Sequence, residues 1–145
     1  MFIVTSELIV LERDGEWAAA LRREFDDATV RVVETRSWDE TWEILAQSPS
    51  TLVAAELSAS NPQRMLAALA RAERRHPQAA IIVLADRRMA AYRDLLLEAG
   101  ALNFITSPRR LHEVRGILKR RASRFDTTAR DRLDEIRDNL PWSEP

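Results

Sequence analysis

Two short acidic stretches hold the side chains best suited to chemistry. Glu12-Arg13-Asp14 closes the apolar run Glu7–Leu11, and Glu56 sits at the end of the run Thr51–Leu57. In an open α/β sheet, functional residues gather where strands deliver them to the carboxyl edge. A carboxylate delivered there is a candidate nucleophile. Other chemistry is scarce. The chain has no cysteine, so it has no thiol nucleophile, disulfide or Cys-based metal site. His76 precedes Pro77 at an expected helix end, where a protonated imidazole favours the helix dipole. His112 falls in the first turn of the expected last helix, and neither histidine stands in a nucleophile–acid constellation. Gly15, Gly100 and Gly116 form no phosphate loop, so nothing in the sequence supports a nucleotide or small-ligand sensor. Lys119 is the single lysine among 22 basic residues.

The elements that must position these residues alternate regularly. Strands are expected at Glu7–Leu11, Thr29–Glu34, Thr51–Leu57, Ala79–Ala85 and Leu102–Thr106, each a compact apolar or β-branched run. Met1–Thr5 either extends the first strand or lies beside it. Between the strands, apolar residues recur at helical spacing: Trp17, Leu21 and Phe25; Trp38, Trp42 and Leu45; Met65, Leu66, Leu69 and Ala72; Met89, Tyr92, Leu95 and Leu96. A last helix follows Ser107-Pro108, with Leu111, Val114 and Leu118 on its inner stripe. Asp14, Ser37 and Asn61 are the expected caps, with Pro62 at the first helical position of the third helix. Five strands alternating with five helices predict a parallel, doubly wound sheet with helices on both faces. Residues 1–124 make that domain. Residues 125–145 form an extension, expected as an amphipathic helix and short tail carrying Leu133, Ile136, Leu140 and Trp142.

Composition narrows the class. A length of 145 residues suits one domain with an appendage. Hydrophobic and charged fractions of 46% and 31% are those of a soluble globular chain. A net charge of −1 argues against a nucleic-acid binder. No apolar run reaches the length of a membrane span, and no signal peptide is expected, so the expected location is the cytoplasm.

Five βα units, an acidic turn after the first strand and an acid ending the third resemble the receiver domain of bacterial response regulators. The resemblance runs from about residue 7 to 124. Its most specific piece is Leu97-Glu98-Ala99-Gly100-Ala101-Leu102-Asn103-Phe104-Ile105-Thr106-Ser107-Pro108, similar to the family's E-A-G-A run leading through strand five to a Lys-Pro pair. It implies a flavodoxin-like (βα)5 fold and a place in two-component signal transduction. Receivers take a phosphoryl group from a histidine kinase onto an Asp, using Mg²⁺ held by acids and a lysine on the phosphoryl oxygens.

This chain departs from that pattern in one pocket. Glu12 stands at the first acid of the family's acidic pair, Arg13 replaces the second, and Asp14 follows. Glu56 stands at the acceptor Asp, Ala85 at the hydroxyl residue ending strand four, and Ser107 at the lysine. Ala85 offers no hydroxyl and Ser107 no cation. Arg13 should repel Mg²⁺, and Glu56 is one methylene too long for the acceptor geometry. The expectation is a pseudo-receiver in which Arg13 pairs with Glu56.

Such a chain is expected to have no catalytic residue and no cofactor, and to act through protein contact. The alternative is a residual Mg²⁺-dependent phosphoacceptor using Glu12, Asp14 and Glu56. The resemblance points to the face of helix four, strand five and helix five as output surface, with Phe104 at the aromatic switch position and Tyr92 and Arg109 beside it. A homodimer through that face is the expected self-association. Arg87, Arg88, Arg109 and Arg110 could draw an anion or acidic partner to the carboxyl edge. Trp38 and Trp42 read as core packing, with a partner-binding patch as the other option.

Overall fold

The computed structural model describes residues 6–26 and 29–122. Five strands, β1 (Ser6–Leu11), β2 (Val30–Thr35), β3 (Leu52–Glu56), β4 (Ala80–Leu84) and β5 (Asn103–Ile105), form one sheet in the order β2-β1-β3-β4-β5. Every pairing is parallel. Helices α1 (Glu16–Glu24), α2 (Trp38–Gln47), α3 (Pro62–Arg75) and α4 (Arg93–Glu98) connect them, and residues 112–122 form α5. The expected fold class is therefore observed. By contact, Met1–His112 is one compact unit and Glu113–Pro145 another. The second unit is helical through residue 122, with Val114, Ile117 and Leu118 buried. The expectations for Met1–Thr5, the boundary at residue 124 and the Asp126–Pro145 extension lie outside the described residues.

The period-2 geometry of strands sorts the core of the first unit into two faces. Ile9, Leu11, Val53, Ala55, Ile81, Val83 and Phe104 face one way, where Trp42 and Leu45 of α2, Met65, Leu69 and Ala72 of α3, and Leu96 of α4 join them. Leu8, Val10, Leu52, Ala54, Ile82 and Leu84 point to the other face and are all buried. Ala18 and Leu21 of α1 are fully buried and belong to no part of the first cluster, which puts α1 on that second face. Burial on both faces explains why the strands read as continuous apolar runs rather than alternating ones.

Several local expectations change. Asp14 does not cap α1: Gly15 holds the N-cap position with φ +86°, and its Cβ position would lie 3.3 Å from Glu34 Oε1. Ser37 caps α2 as expected, accepting from the Glu40 N–H. Asn61 and Pro62 open α3, yet the Asn61 side chain makes no capping bond. The fourth helix starts as a 3-10 stretch, Arg87–Tyr92, because Asp86 accepts from the Arg88 N–H and sets a tight first turn. Ser107-Pro108 likewise opens a 3-10 turn, Pro108–Arg110, before α5. Leu95 and Leu102 are about half exposed, at 48% and 49%, so neither belongs to the core, and β5 starts at Asn103.

The two glycines with contrasting settings give opposite expectations. Gly15→Ala should lower the unfolding free energy by about 1 kcal/mol or more, since a side chain is strained at that positive φ. Gly116 lies inside α5, so Gly116→Ala should raise it by roughly 0.5–1 kcal/mol. Urea denaturation of the two variants checks both signs.

Candidate functional site

The strand order reverses direction between β1 and β3, and their carboxyl ends deliver the acidic residues side by side. Leu11 pairs with Ala55, so Glu12 and Glu56 follow at the same edge. Glu56 pairs with Leu84, which brings Ala85 alongside, and the Ala85 N–H donates to the Ile105 carbonyl at 2.9 Å. Ser107 follows two residues later. The six residues singled out in the sequence therefore come from adjacent strand ends.

Glu12 is nearly inaccessible, at 3% exposure. One carboxylate oxygen accepts the Trp17 N–H at 2.9 Å and the other accepts the Ala18 N–H at 2.6 Å. These are the second and third N–H groups of α1, orphan donors that a helix leaves unpaired at its start. A side chain upstream of the Gly15 N-cap thus does the work of a cap residue, and the helix dipole favours its negative charge. Arg36 donates to the Glu12 carbonyl at 3.3 Å and pairs with Glu34 at 3.0 Å, tying the end of β1 to the end of β2. Glu34 also pairs with Arg22 at 2.8 Å, and the hydrogen bonds from the two arginines, that from Arg22 first, hold its carboxyl below the ordinary range.

Glu56 is only partly buried, and its environment differs from the expected one. The Arg13 backbone N–H, not the guanidinium, donates to Glu56 Oε1 at 3.4 Å. Among the described residues no ion pair joins the two, and the Arg13 side chain is exposed. Burial, then the charges of Glu12, Asp14 and Glu16, push the Glu56 carboxyl above the usual glutamate range, against the lowering effect of the Arg13 N–H. The expected Arg13–Glu56 ion pair is thus corrected: Glu56 meets the Arg13 backbone N–H, while the exposed guanidinium stays in water, where an ion pair would contribute little.

The residues present do not fit a Mg²⁺ site. Both oxygens of Glu12 are committed to α1, and Asp14 is exposed. Among the described residues no group of three His, Cys, Asp or Glu side chains stands close enough to hold a metal ion. Ala85 is buried, and Ser107 Oγ accepts the Arg109 N–H at 3.3 Å, so its hydroxyl is used in the turn.

Around this edge, Phe104 is fully buried, and its carbonyl accepts from Arg93 Nη1 at 3.2 Å. Tyr92 is half-buried and Arg109 exposed. Arg88 pairs with Asp86 at 3.0 Å, which lowers the Asp86 carboxyl's pKa. The loop after β3 is fixed by Asn61, whose Nδ2 donates to the Glu56 carbonyl at 3.1 Å and whose Oδ1 accepts the Ser58 N–H at 2.8 Å. That role explains why Asn61 does not cap α3. His76 stacks on Trp42 with centroids 5.1 Å apart. Burial, then the charges of Arg71 and Arg75, lower its pKa, against the protonated form that a helix-end dipole would favour.

Sequence reasoning missed an open cleft of about 1010 Å³ that starts at Glu12, Arg13 and Glu56 and runs between α2 and α3. Its walls include Trp38 and Trp42 on α2 and Arg64 and Arg71 on α3. The signal was present in the spacing: Arg64 and Arg71 lie seven apart on one helix face, with the small Ala67 and Ala68 between them.

No protein-family model matches the chain, and no curated protein matches it by sequence. Solved structures do match. A CheY-like protein, TadZ, from Pseudomonas aeruginosa PAO1 superposes with a TM-score of 0.65 at 21% identity, over 81% of this chain and 99% of that one. A response regulator from Thermotoga maritima gives 0.65 at 19% identity over 82% and 98%. The receiver domain of TorR, the response regulator of a TMAO respiratory system, gives 0.64 at 25% identity over 82% and 98%. The chain has the CheY-like receiver fold. Its neighbours in structure are response-regulator receiver domains, and the chain spans nearly their whole length.

Three substitutions separate the roles of the acids at this edge. Glu12→Ala strips two backbone donors of their partner and should cost about 1–3 kcal/mol in urea denaturation, whereas Asp14→Ala should be near neutral. Glu56 binds its proton more tightly when folded than when unfolded. Its stabilising contribution is therefore present below the ordinary glutamate range and is lost as pH rises through the raised value. Glu56→Gln should therefore raise the Tm at pH 7–8. The difference should vanish below about pH 4. Thermal melts across pH check it.

Proposed function

We propose that this chain is a receiver-like signalling module that acts through protein contact and is not switched by phosphorylation. The observation that carries this reading is Glu12, which stands where a receiver would hold metal but spends both oxygens on the N-terminus of α1. The methyl of Ala85 and the turn-bound hydroxyl of Ser107 support it, since neither can stabilise phosphoryl oxygens as a hydroxyl and a lysine do. The pocket is a pseudo-phosphoacceptor site with no catalytic residue, and the module is not an enzyme.

Contact with partners runs through the α4–β5 region. Leu95 and Leu102 expose large apolar side chains there, and Tyr92 is half-buried in the preceding turn. A second copy of the chain is one such partner. No helix among the described residues is long and apolar enough to cross a membrane, and the module is read as cytoplasmic.

One observation favours the rival reading of a Mg²⁺-dependent phosphoacceptor. Glu56 is crowded by the charges of Glu12, Asp14 and Glu16, and a divalent cation would relieve that repulsion. Incubation with acetyl phosphate and Mg²⁺, followed by intact-mass measurement, decides between them. The expected result is no phosphate added and no rise in Tm with Mg²⁺; a stoichiometric gain of one phosphate on Glu56 or Asp14 overturns the proposal. The double variant Leu95→Glu/Leu102→Glu should keep its circular dichroism spectrum and lose self-association by light scattering.

A further inference from the structure

The cleft between α2 and α3 has no role in a receiver's phosphoryl chemistry, yet it begins at the same strand ends. Crevices at the carboxyl edge, beside the reversal of strand order, are where open α/β sheets bind ligands. This one has a volume of about 1010 Å³, large enough for a substantial small molecule.

Its two walls differ in character. On α2, Trp38 and Trp42 lie one turn apart and stack with centroids 5.0 Å apart. Trp42 is buried and packs against His76, whereas Trp38 remains half-exposed and leaves ring surface in the cleft. On α3, Arg64 and Arg71 stand about 10 Å apart along the axis, and Ala67 and Ala68 keep the floor between them low. Arg71 lies 4.8 Å from the Trp42 ring centroid, and its Nε is buried without a hydrogen-bond partner. Arg64 is exposed and enters no ion pair among the described residues. The Ser58 and Ser60 hydroxyls add polar groups at the loop end of the cleft.

The charges of the cleft favour an anion. Of its acids, Glu12 is taken up by α1, which leaves Asp39 and Glu56. Arg36 is engaged by Glu34, which leaves Arg13, Arg64 and Arg71. A flat aromatic surface beside two spaced guanidinium groups is the combination that holds a heteroaromatic ring and phosphates.

We propose that this cleft binds a purine nucleotide with two or more phosphates, its base stacked on Trp38 and its phosphates held by Arg64 and Arg71. No glycine-rich loop is needed, because the arginines take the place of backbone amides. The inference stands whether or not Glu56 accepts phosphate, since none of the binding groups belongs to that chemistry.

Isothermal titration of the full chain with ATP and with GTP tests it, beside inorganic triphosphate, the free nucleosides and a poly-glutamate peptide. At least one nucleotide should bind more tightly than triphosphate or its nucleoside. Trp38→Leu and Arg64→Gln should each weaken that binding by about tenfold. Arg64 is exposed, so its variant keeps the fold, and circular dichroism verifies both. Binding of triphosphate as tight as the nucleotide and indifferent to Trp38→Leu overturns the proposal, leaving a bare anion site. Binding of the peptide alone overturns it in favour of an acidic partner. No binding of either nucleotide also overturns it.

Discussion

The carboxylate of Glu12 on the first turn of α1 is the interaction on which the carboxyl edge depends. A buried charge is tolerable only when its oxygens are hydrogen-bonded, and here two helix N–H groups supply the bonds. The arrangement fixes the turn Arg13–Gly15, and Arg36 ties the same residue's carbonyl to β2. Through the Arg13 N–H it also sets where Glu56 finds its one backbone donor. Both oxygens of this acid are engaged by the helix that follows it. Beside burial, Glu56 is left to the charges of Glu12, Asp14 and Glu16, since no ion pair reaches it among the described residues.

The rest of the edge is built by similar local settlements. Asn61 spends both ends of its amide on the loop after β3, Ser107 spends its hydroxyl on the turn after β5, and Asp86 spends its carboxylate on the turn after β4. Polar groups at the strand ends are thus satisfied within a few residues. The larger opening lies to one side, over α2 and α3, where arginine and tryptophan side chains are not fully paired off.

Much of the fold was legible in the sequence because fully buried parallel strands leave long apolar runs that few other structures share. β3 and β4 were found to within a residue or two, and the helical spacing of Met65, Leu69 and Ala72 marked the inner face of α3. Less legible were features that depend on side chains reaching backbone several residues away. Nothing local distinguishes Glu12 as a cap from Asp14, the nearer acid. The 3-10 start at Arg87 depends on one Asp86 hydrogen bond, which periodicity does not register. Strand five was drawn too long because Leu102 is apolar, although it is half exposed. At the site, residue types revealed which groups were missing, but not the direction of the field at Glu56. The cleft escaped notice because Arg64 and Arg71 belong to no consecutive motif.

The two ends of the sheet have a consequence for assembly. β5 pairs over only three residues, and β2, at the other edge, carries Arg31 and Glu34, each held in ion pairs. Short or charged borders make poor templates for another chain's strand. Lateral growth of the sheet from copy to copy is therefore discouraged at both edges of the described sheet.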